Sequence, residues 1–410
     1  MKILVADGVS QKAIDILSPK FEVVEKPKLS HEELLDIIGD FEAVIVRSAS
    51  KVTKDVIDKA AKLKIIGRAG VGVDNIDVAA ATARGIIVIN SPGGNTIAAT
   101  EHTMAMMLAM SRNIPIANET MQKGEWNRKK YVGVELRGKT LGVIGMGRIG
   151  SGVAKRALSF DMNVIGYDPY INEERAKAMG VAVGTLDEVI EKSDFITVHM
   201  PLNQDTKDML DKKAIARMKK GVRLINCARG GLYNEEALYN GLKNGKIAFA
   251  GIDVFEKEPA TDHPLLELNN VSVTPHLGAN TLESQANIAI AAAEQAISAA
   301  RGISYPSALN LPIKTEDLPP FVEPYIELTS KMAFLAAQIN KKAIKAIRIE
   351  THGPISEYAN SMLTFAIVGA LKESLGDTIN YVNAKFLCDE KGITTESTVG
   401  GNSIFKNKIT

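Results

Sequence analysis

Gly145-Met146-Gly147-Arg148-Ile149-Gly150 sets three glycines at G-x-G-x-x-G spacing, after an apolar run over residues 140–144 and ahead of an amphipathic helical stretch. Between a strand and a helix, such a string is suited to holding a dinucleotide. The first two glycines permit a tight turn and close approach of a pyrophosphate, the third lets helix pack on strand, and the helix N-terminus attracts the phosphate charge. Gly145, Gly147, Arg148, Ile149 and Gly150 are therefore expected to border the cofactor. A second apolar run, over residues 163–167, ends at Asp168, eighteen residues after Gly150. Its carboxylate would accept hydrogen bonds from a ribose diol and repel a 2′-phosphate, and no arginine directly follows it. The cofactor expected is NAD rather than NADP.

Ligands of open α/β sheets sit beyond the carboxyl ends of the strands. In this part of the chain those ends carry the Gly145 loop, Asp168, His199-Met200-Pro201, Cys227-Ala228-Arg229-Gly230-Gly231, Asp253 and Pro275-His276-Leu277-Gly278, with Glu258 shortly after Asp253. One imidazole, one carboxylate and one guanidinium at a cofactor edge suit hydride transfer at a carbon bearing oxygen. A hydroxyl proton must leave as hydride leaves, which calls for a base with a pKa near neutrality, and His276 is the candidate. Glu258 would hydrogen-bond the other ring nitrogen, fixing the tautomer, and Arg229 would hold a substrate carboxylate through a planar fork that lysine lacks. His199, Pro201, Cys227, Ala228, Asp253 and Gly278 are expected to line the cofactor cleft. His31, His263 and His352 are expected at the surface, and His102, on an apolar helical run, in packing. No His, Asp, Glu or Cys pair shows metal-ligand spacing, so no metal is expected.

To position these residues the chain needs a parallel sheet, and its pattern supplies one. Short Val, Ile, Leu and Ala runs alternate with amphipathic stretches of ten to fifteen residues, the signature of an α/β fold whose strands are covered on both faces. Five runs, at residues 3–6, 22–25, 43–46, 65–68 and 87–89, predict a first sheet. Six more, at 140–144, 163–167, 195–198, 223–226, 248–251 and 271–274, predict a doubly wound dinucleotide fold. Between the two sets, residues 97–110 predict a long apolar crossover helix, whose 103–110 stretch is apolar enough to be buried between subunits. Residues 285–301 predict a helix returning to the first domain. Pro306, Pro312, Pro319 and Pro320 mark a linker. Beyond it, helices near 325–339, 362–375 and 378–390 and a strand near 344–349 predict an α+β unit, with a polar stretch over 391–410 that shows no stop and makes the unit look truncated.

A chain of 410 residues is long enough for two or three domains. Its 49 basic and 48 acidic residues leave a formal charge of +1, which gives no ground for a nucleic-acid groove or an anionic membrane surface, so the partner expected is a small molecule. Two cysteines, Cys227 and Cys388, cannot build a disulfide framework and suit a reducing, cytoplasmic setting. No apolar stretch reaches the length of a membrane span.

Taken together these residues resemble the D-isomer-specific 2-hydroxyacid dehydrogenases, over residues 1 to about 300. The markers are Gly70-Val71-Gly72-Val73-Asp74-Asn75-Ile76-Asp77, the 141–150 fingerprint, Asn226-Cys227-Ala228-Arg229-Gly230-Gly231, Asp253-Val254-Phe255-Glu256-Lys257-Glu258-Pro259 and Thr274-Pro275-His276-Leu277-Gly278. The resemblance implies a Rossmann NAD-binding domain (96–284) inserted in a flavodoxin-like substrate domain (1–95 and 285–301), with residues 302–410 similar to an intervening domain that ends early. It places the family's catalytic trio on Arg229, Glu258 and His276 and its nicotinamide-amide contact on Asp253. It further implies that Arg47, Ser48, Arg68 and Gly70 bind a phosphorylated substrate, that Arg128 and Lys129 lie near its phosphate, and that Asn95 lies near its carboxylate. The activity then expected is NAD-dependent oxidation of 3-phospho-D-glycerate by a homodimer or homotetramer, the first step of phosphorylated serine synthesis. Glyoxylate or hydroxypyruvate reduction is the alternative within the family, and an NAD-sensing corepressor-like binding protein the alternative outside enzymes.

Overall fold

Ala43-Val44-Ile45-Val46 is buried at every position, as is Phe195-Ile196-Thr197-Val198. A strand apolar on both faces needs a layer on each side, and parallel sheets with crossover helices provide it. The computed structural model describes residues 1–301, 307–311, 319–340, 342–401 and 403–410. Pro306 and Pro312 of the expected linker lie outside these. The described chain divides into two compact units, Met1–Gly94 with Ala286–Thr410, and Asn95–Gln285.

In the first unit β1 (Lys2–Val5), β2 (Glu22–Glu25), β3 (Ala43–Val46), β4 (Ile65–Arg68) and β5 (Ile87–Ile89) form a parallel sheet ordered β2-β1-β3-β4-β5. This is the flavodoxin-like order. The helix Leu282–Arg301 buries Ile288, Ala289, Ala292, Ala293, Ala296 and Ile297, a stripe at helical spacing, and Ser91 Oγ donates to the Ile288 carbonyl at 3.0 Å.

In the second unit β6 (Thr140–Ile144), β7 (Asn163–Tyr167), β8 (Ala182–Val183), β9 (Phe195–Val198), β10 (Val222–Asn226), β11 (Ile247–Ile252) and β12 (Val271–Val273) form a seven-stranded parallel sheet. Its order is β12-β11-β10-β9-β6-β7-β8. This is the doubly wound dinucleotide order, with its switch point between β6 and β9. The sequence reading of six strands is one short: β8 is two residues long and sits between Gly180 and Gly184, too brief to leave a hydrophobic period. The crossover helix Thr96–Ser111 buries Met104, Met106, Met107 and Met110 against Leu141, Val143, Val153 and Phe249 of this same unit. Those four methionines are thus covered within their own unit, while Ile97 of the same helix is exposed.

At the C-terminal end the helices Glu323–Ile339 and Ala359–Leu375 pack with a three-stranded sheet ordered β14-β13-β15, formed by β13 (Ala346–His352), β14 (Thr394–Val399) and β15 (Lys408–Ile409). Two of these strands come from the polar stretch that gave no element in sequence. The helix expected over 378–390 begins only at Ala384, after a single turn at Gly376–Thr378. Among the described residues no helix is long and apolar enough to cross a membrane.

Candidate active site

The glycine fingerprint follows β6. Gly145 has φ +94°, a region side chains rarely adopt, and a Cβ there would lie 2.5 Å from the His199 carbonyl oxygen. A Cβ on Gly150 would overlap the Gly145 carbonyl, so the helix Arg148–Ser159 can pack this tightly only on glycine. Gly147 differs from both. It occupies the N-cap with no side-chain cap, and nothing lies within 4 Å of where its Cβ would be. Space over that glycine, facing uncapped helix N–H groups, fits a pyrophosphate. Arg148 is exposed in the first turn, and Ile149 is partly buried against the core below. Asp168 accepts from Met146 N–H at 2.8 Å and Tyr170 N–H at 2.9 Å, which fixes its carboxylate beside the glycine loop with lone pairs left for a diol. These residues fit NAD.

Across the switch point His199 is bonded to Thr197 Oγ1 at 3.0 Å, and burial lowers its pKa to about 4. Held neutral, it lacks the titration a base near pH 7 needs. Pro201 is exposed, and its carbonyl accepts from Thr206 Oγ1 at 2.6 Å.

β10, β11 and β12 are neighbours in parallel register, Asn226 beside Ile252 and Ile252 beside Val273. Arg229, Asp253 and His276 each follow one of these three ends, so the strands bearing them are spaced over about 10 Å. His276 Nδ1 and Glu258 Oε2 are 2.8 Å apart, and Glu258 Oε1 accepts from Phe255 N–H at 3.1 Å. Burial alone would raise the Glu258 pKa, but these two hydrogen bonds outweigh it and hold the carboxyl below its ordinary range. The acceptor is thus ionised and Nδ1 donates, so in the neutral ring Nε2 carries the outward lone pair. His276 is about half exposed, so that nitrogen can meet a substrate.

Arg229 is partly buried. Its Nη1 donates to the Ala228 carbonyl at 2.6 Å, and Asn226 shapes the turn from beneath, donating to the Arg229 carbonyl at 2.8 Å and accepting from Ala228 N–H at 3.0 Å. Gly230 could carry no side chain, because a Cβ would overlap the Phe255 carbonyl carbon. Cys227 is buried, and desolvation first, then the charge of Asp253, raises its thiol pKa. Asp253, expected to reach an amide of the cofactor, is fully buried, and its oxygens accept from Leu277 N–H at 2.7 Å, Gly278 N–H at 2.8 Å and Thr274 Oγ1 at 2.5 Å. In this structure its carboxylate is committed to the loop that bears His276.

In the first unit Arg47 and Arg68 sit at the carboxyl ends of β3 and β4. Asp7, buried at the end of β1, accepts from Arg47 N–H at 2.5 Å and Ser50 Oγ at 2.8 Å, while Asn75 donates to the carbonyls of Arg47 and Ser50 at 2.6 Å each. The loop carrying Arg47 and the exposed Ser48 is pinned from both sides. The Arg68 guanidinium lies over Gly70, where any Cβ would displace it. Asn95, at the N-cap of Thr96–Ser111, makes no capping bond, and its buried Oδ1 has no hydrogen-bond partner among the described residues. Arg128 and Lys129 lie on an exposed turn, Arg128–Tyr131, and form no ion pair among the described residues.

Several residues here gave no usable signal in sequence. His102, read as packing, has Nε2 at 3.2 Å from Asp253 Oδ1 and 3.1 Å from Thr274 Oγ1. His263, read as a surface residue, is mostly buried with Nε2 at 2.9 Å from Glu235, whose other oxygen accepts from Glu256 N–H at 2.7 Å in the loop leading to Glu258. His352, also read as surface, is buried in the C-terminal sheet, bonded to the Gly401 carbonyl at 2.8 Å. His31 does lie at the surface, beside Asp55. Asp7 and Asn226 could have been sought as polar residues at or near strand ends, and Asn75 within the 70–77 loop. The grouping of His102, Cys227 and Asp253, whose ligand-type atoms lie within 4.8 Å of one another, comes from three separated segments and leaves no spacing to read. Its carboxylate is already occupied by donors from the chain.

Residues 104–278 match the NAD-binding domain of the D-isomer specific 2-hydroxyacid dehydrogenases, and residues 321–410 match the D-3-phosphoglycerate dehydrogenase intervening domain. The chain is 46% identical to the D-3-phosphoglycerate dehydrogenase of Bacillus subtilis, over 98% of this chain and 76% of that protein. It is 45% identical to the enzyme of the same name from Archaeoglobus fulgidus, over 97% and 76%. Among solved structures it is similar to a D-lactate dehydrogenase from Aquifex aeolicus complexed with NAD and lactic acid, with TM-score 0.65 and 29% identity over 74% of this chain and 96% of that one. On this combination of dinucleotide sheet, intervening domain and near full-length identity, the chain belongs to the D-3-phosphoglycerate dehydrogenases of the D-isomer specific 2-hydroxyacid dehydrogenase family.

Proposed function

We propose that this chain oxidises 3-phospho-D-glycerate to 3-phosphooxypyruvate, and that His276 is the base. The observation that carries the reading is the 2.8 Å pair of His276 Nδ1 with an ionised Glu258, set on the same strand edge as an open glycine cradle. NAD, when bound, supplies the hydride acceptor. His276 Nε2 removes the hydroxyl proton as the C–H bond breaks, while Glu258 holds the tautomer and steadies the imidazolium that results. Arg229 holds the substrate carboxylate and polarises the forming carbonyl. Arg47, Ser48, Arg68 and Gly70 hold the phosphorylated substrate, with Arg128 and Lys129 toward the phosphate and Asn95 toward the carboxylate. In the reverse direction the same imidazolium returns the proton.

The test is cofactor reduction with NAD or NADP across 3-phospho-D-glycerate, D-glycerate and D-lactate, with glyoxylate and hydroxypyruvate in the reverse direction. The expected result is fastest turnover with the phosphorylated acid and NAD. Faster turnover of an unphosphorylated acid would favour the reductase reading, and retained NAD binding without turnover would favour a binding protein. The chain is further proposed to work in the cytoplasm as a homodimer or homotetramer, with residues 302–410 forming a domain of their own. Self-association is supported by Ile114, Met121, Trp126 and Val132, all exposed on one segment, and sedimentation analysis tests it.

A further inference from the structure

His276 has φ +56°. A non-glycine residue stays in the left-handed region only where its surroundings hold it there. Here the backbone is held on both sides of the base: His276 N–H donates to the Asp253 carbonyl at 2.9 Å, and the next two N–H groups, Leu277 and Gly278, both go to the Asp253 carboxylate at 2.7 and 2.8 Å. One buried side chain therefore sets the conformation of the loop. That carboxylate is in turn served by Thr274 Oγ1 at 2.5 Å and by His102 Nε2 at 3.2 Å, with His102 and Thr274 also 3.1 Å apart. Because the Thr274 hydroxyl spends its hydrogen on Asp253, its lone pair faces His102, so Nε2 must carry a proton and donate to both.

We propose that His102 is a positioning residue for the base: it acts from the crossover helix through the buried Asp253 carboxylate to hold His276 in its working conformation. The inference rests on the dehydrogenation proposed above. A fully buried carboxylate must have its charge answered by donors. The neighbouring Cys227 thiol, kept protonated by burial, adds no second negative charge. Without the His102 donor the carboxyl protonates more readily, and once protonated it gives up an acceptor position needed by Leu277 or Gly278. The base then leaves its left-handed conformation, while the glycine cradle beyond β6 is untouched. Turnover falls far more than cofactor affinity, which the cradle still supports.

The experiment uses His102→Leu, which suits an apolar helix, and His102→Gln, whose side-chain amide can take the place of Nε2–H. His102→Leu is expected to lower kcat about 10-fold or more with KM for NAD within about twofold, and His102→Gln to recover most of the loss. With only six histidines in the chain, ring-labelled histidine NMR follows His276 itself. Its resonances should move in His102→Leu and return toward the native position in His102→Gln. Thr274→Val removes the hydroxyl link and should reproduce the loss, and it carries the test if His102→Leu does not fold. Wild-type kcat with an unmoved His276 signal in His102→Leu overturns the proposal, as does an equal loss in the Leu and Gln variants. Absence of turnover in the wild-type protein would defeat the proposed reaction instead, and the NMR readout, which needs no substrate, would still judge the clamp.

Discussion

Alanine at Gly147 and alanine at Gly150 should fail in opposite ways, although the two glycines are three residues apart in one motif. At Gly150 a Cβ would overlap the Gly145 carbonyl and lie 3.2 Å from Val143 Cγ1. The Gly145 carbonyl is backbone and cannot swing aside, so helix and loop must part. Overpacking of this kind costs about 3 kcal/mol, and the gain in helix propensity from glycine to alanine returns about 1 kcal/mol. The net loss of about 2 kcal/mol corresponds to a fall in Tm of roughly 4–8 °C for a unit of this size. At Gly147, with φ −67° and ψ −158° and no atom within 4 Å, alanine is sterically free in the protein alone and Tm should change by no more than about 2 °C. There the methyl group would occupy the space assigned to the pyrophosphate, weakening NAD binding about 10-fold or more, or about 1.4 kcal/mol. Differential scanning calorimetry and NAD titration of the two purified variants give the comparison. Native NAD affinity in Gly147→Ala, or native stability in Gly150→Ala, would refute the reading of the cradle.

Gly70→Ala should leave the protein folded, because the group it displaces is the flexible end of Arg68, and should raise KM for 3-phospho-D-glycerate at least fivefold by rough estimate while KM for NAD stays near native. Steady-state kinetics against both substrates checks this, and an unchanged KM for the phosphorylated acid would count against Arg68 as a ligand. His199 predicts an acid-side loss of stability. Its folded pKa of about 4 lies below the value of about 6.5 for the unfolded chain. Between these values the unfolded chain binds the extra proton, so stability is full above about pH 6.5, falls as pH drops, and levels off below about pH 4. The contribution is about 3 kcal/mol at most. Urea unfolding at several pH values should show that His199→Gln loses this share of the pH dependence, and identical slopes in both proteins would exclude it.

What was legible in the sequence follows from how much signal burial writes into it. Strands such as β3 and β9 are covered on both faces and must be apolar throughout, so they announced themselves. β14, Thr394-Thr395-Glu396-Ser397-Thr398-Val399, has no fully buried position and looked like a polar tail, although its pairing with β13 runs over six residues. The residues at the carboxyl ends of the dinucleotide strands were legible because parallel topology alone brings them to one edge, which is why His276, Glu258 and Arg229 could be named in advance. The support beneath them was not. His102 and Asp253 are 151 positions apart, and at helical spacing His102 has Ala98, Ala99, Ala105 and Met106 around it, so its pattern is that of a core helix. Only the fold shows that a buried carboxylate waits opposite it. Asp253 itself was placed at the right edge, but its commitment to Thr274, Leu277 and Gly278 depends on loop geometry that spacing does not encode.

The central claim is that the imidazole paired with Glu258 takes the proton from the substrate hydroxyl. It is tested most directly by measuring the rate of NAD reduction with 3-phospho-D-glycerate in the native protein and in His276→Gln, alongside NAD binding to each. The account predicts a loss of turnover of about 100-fold or more with NAD affinity retained. Native turnover in His276→Gln would contradict it.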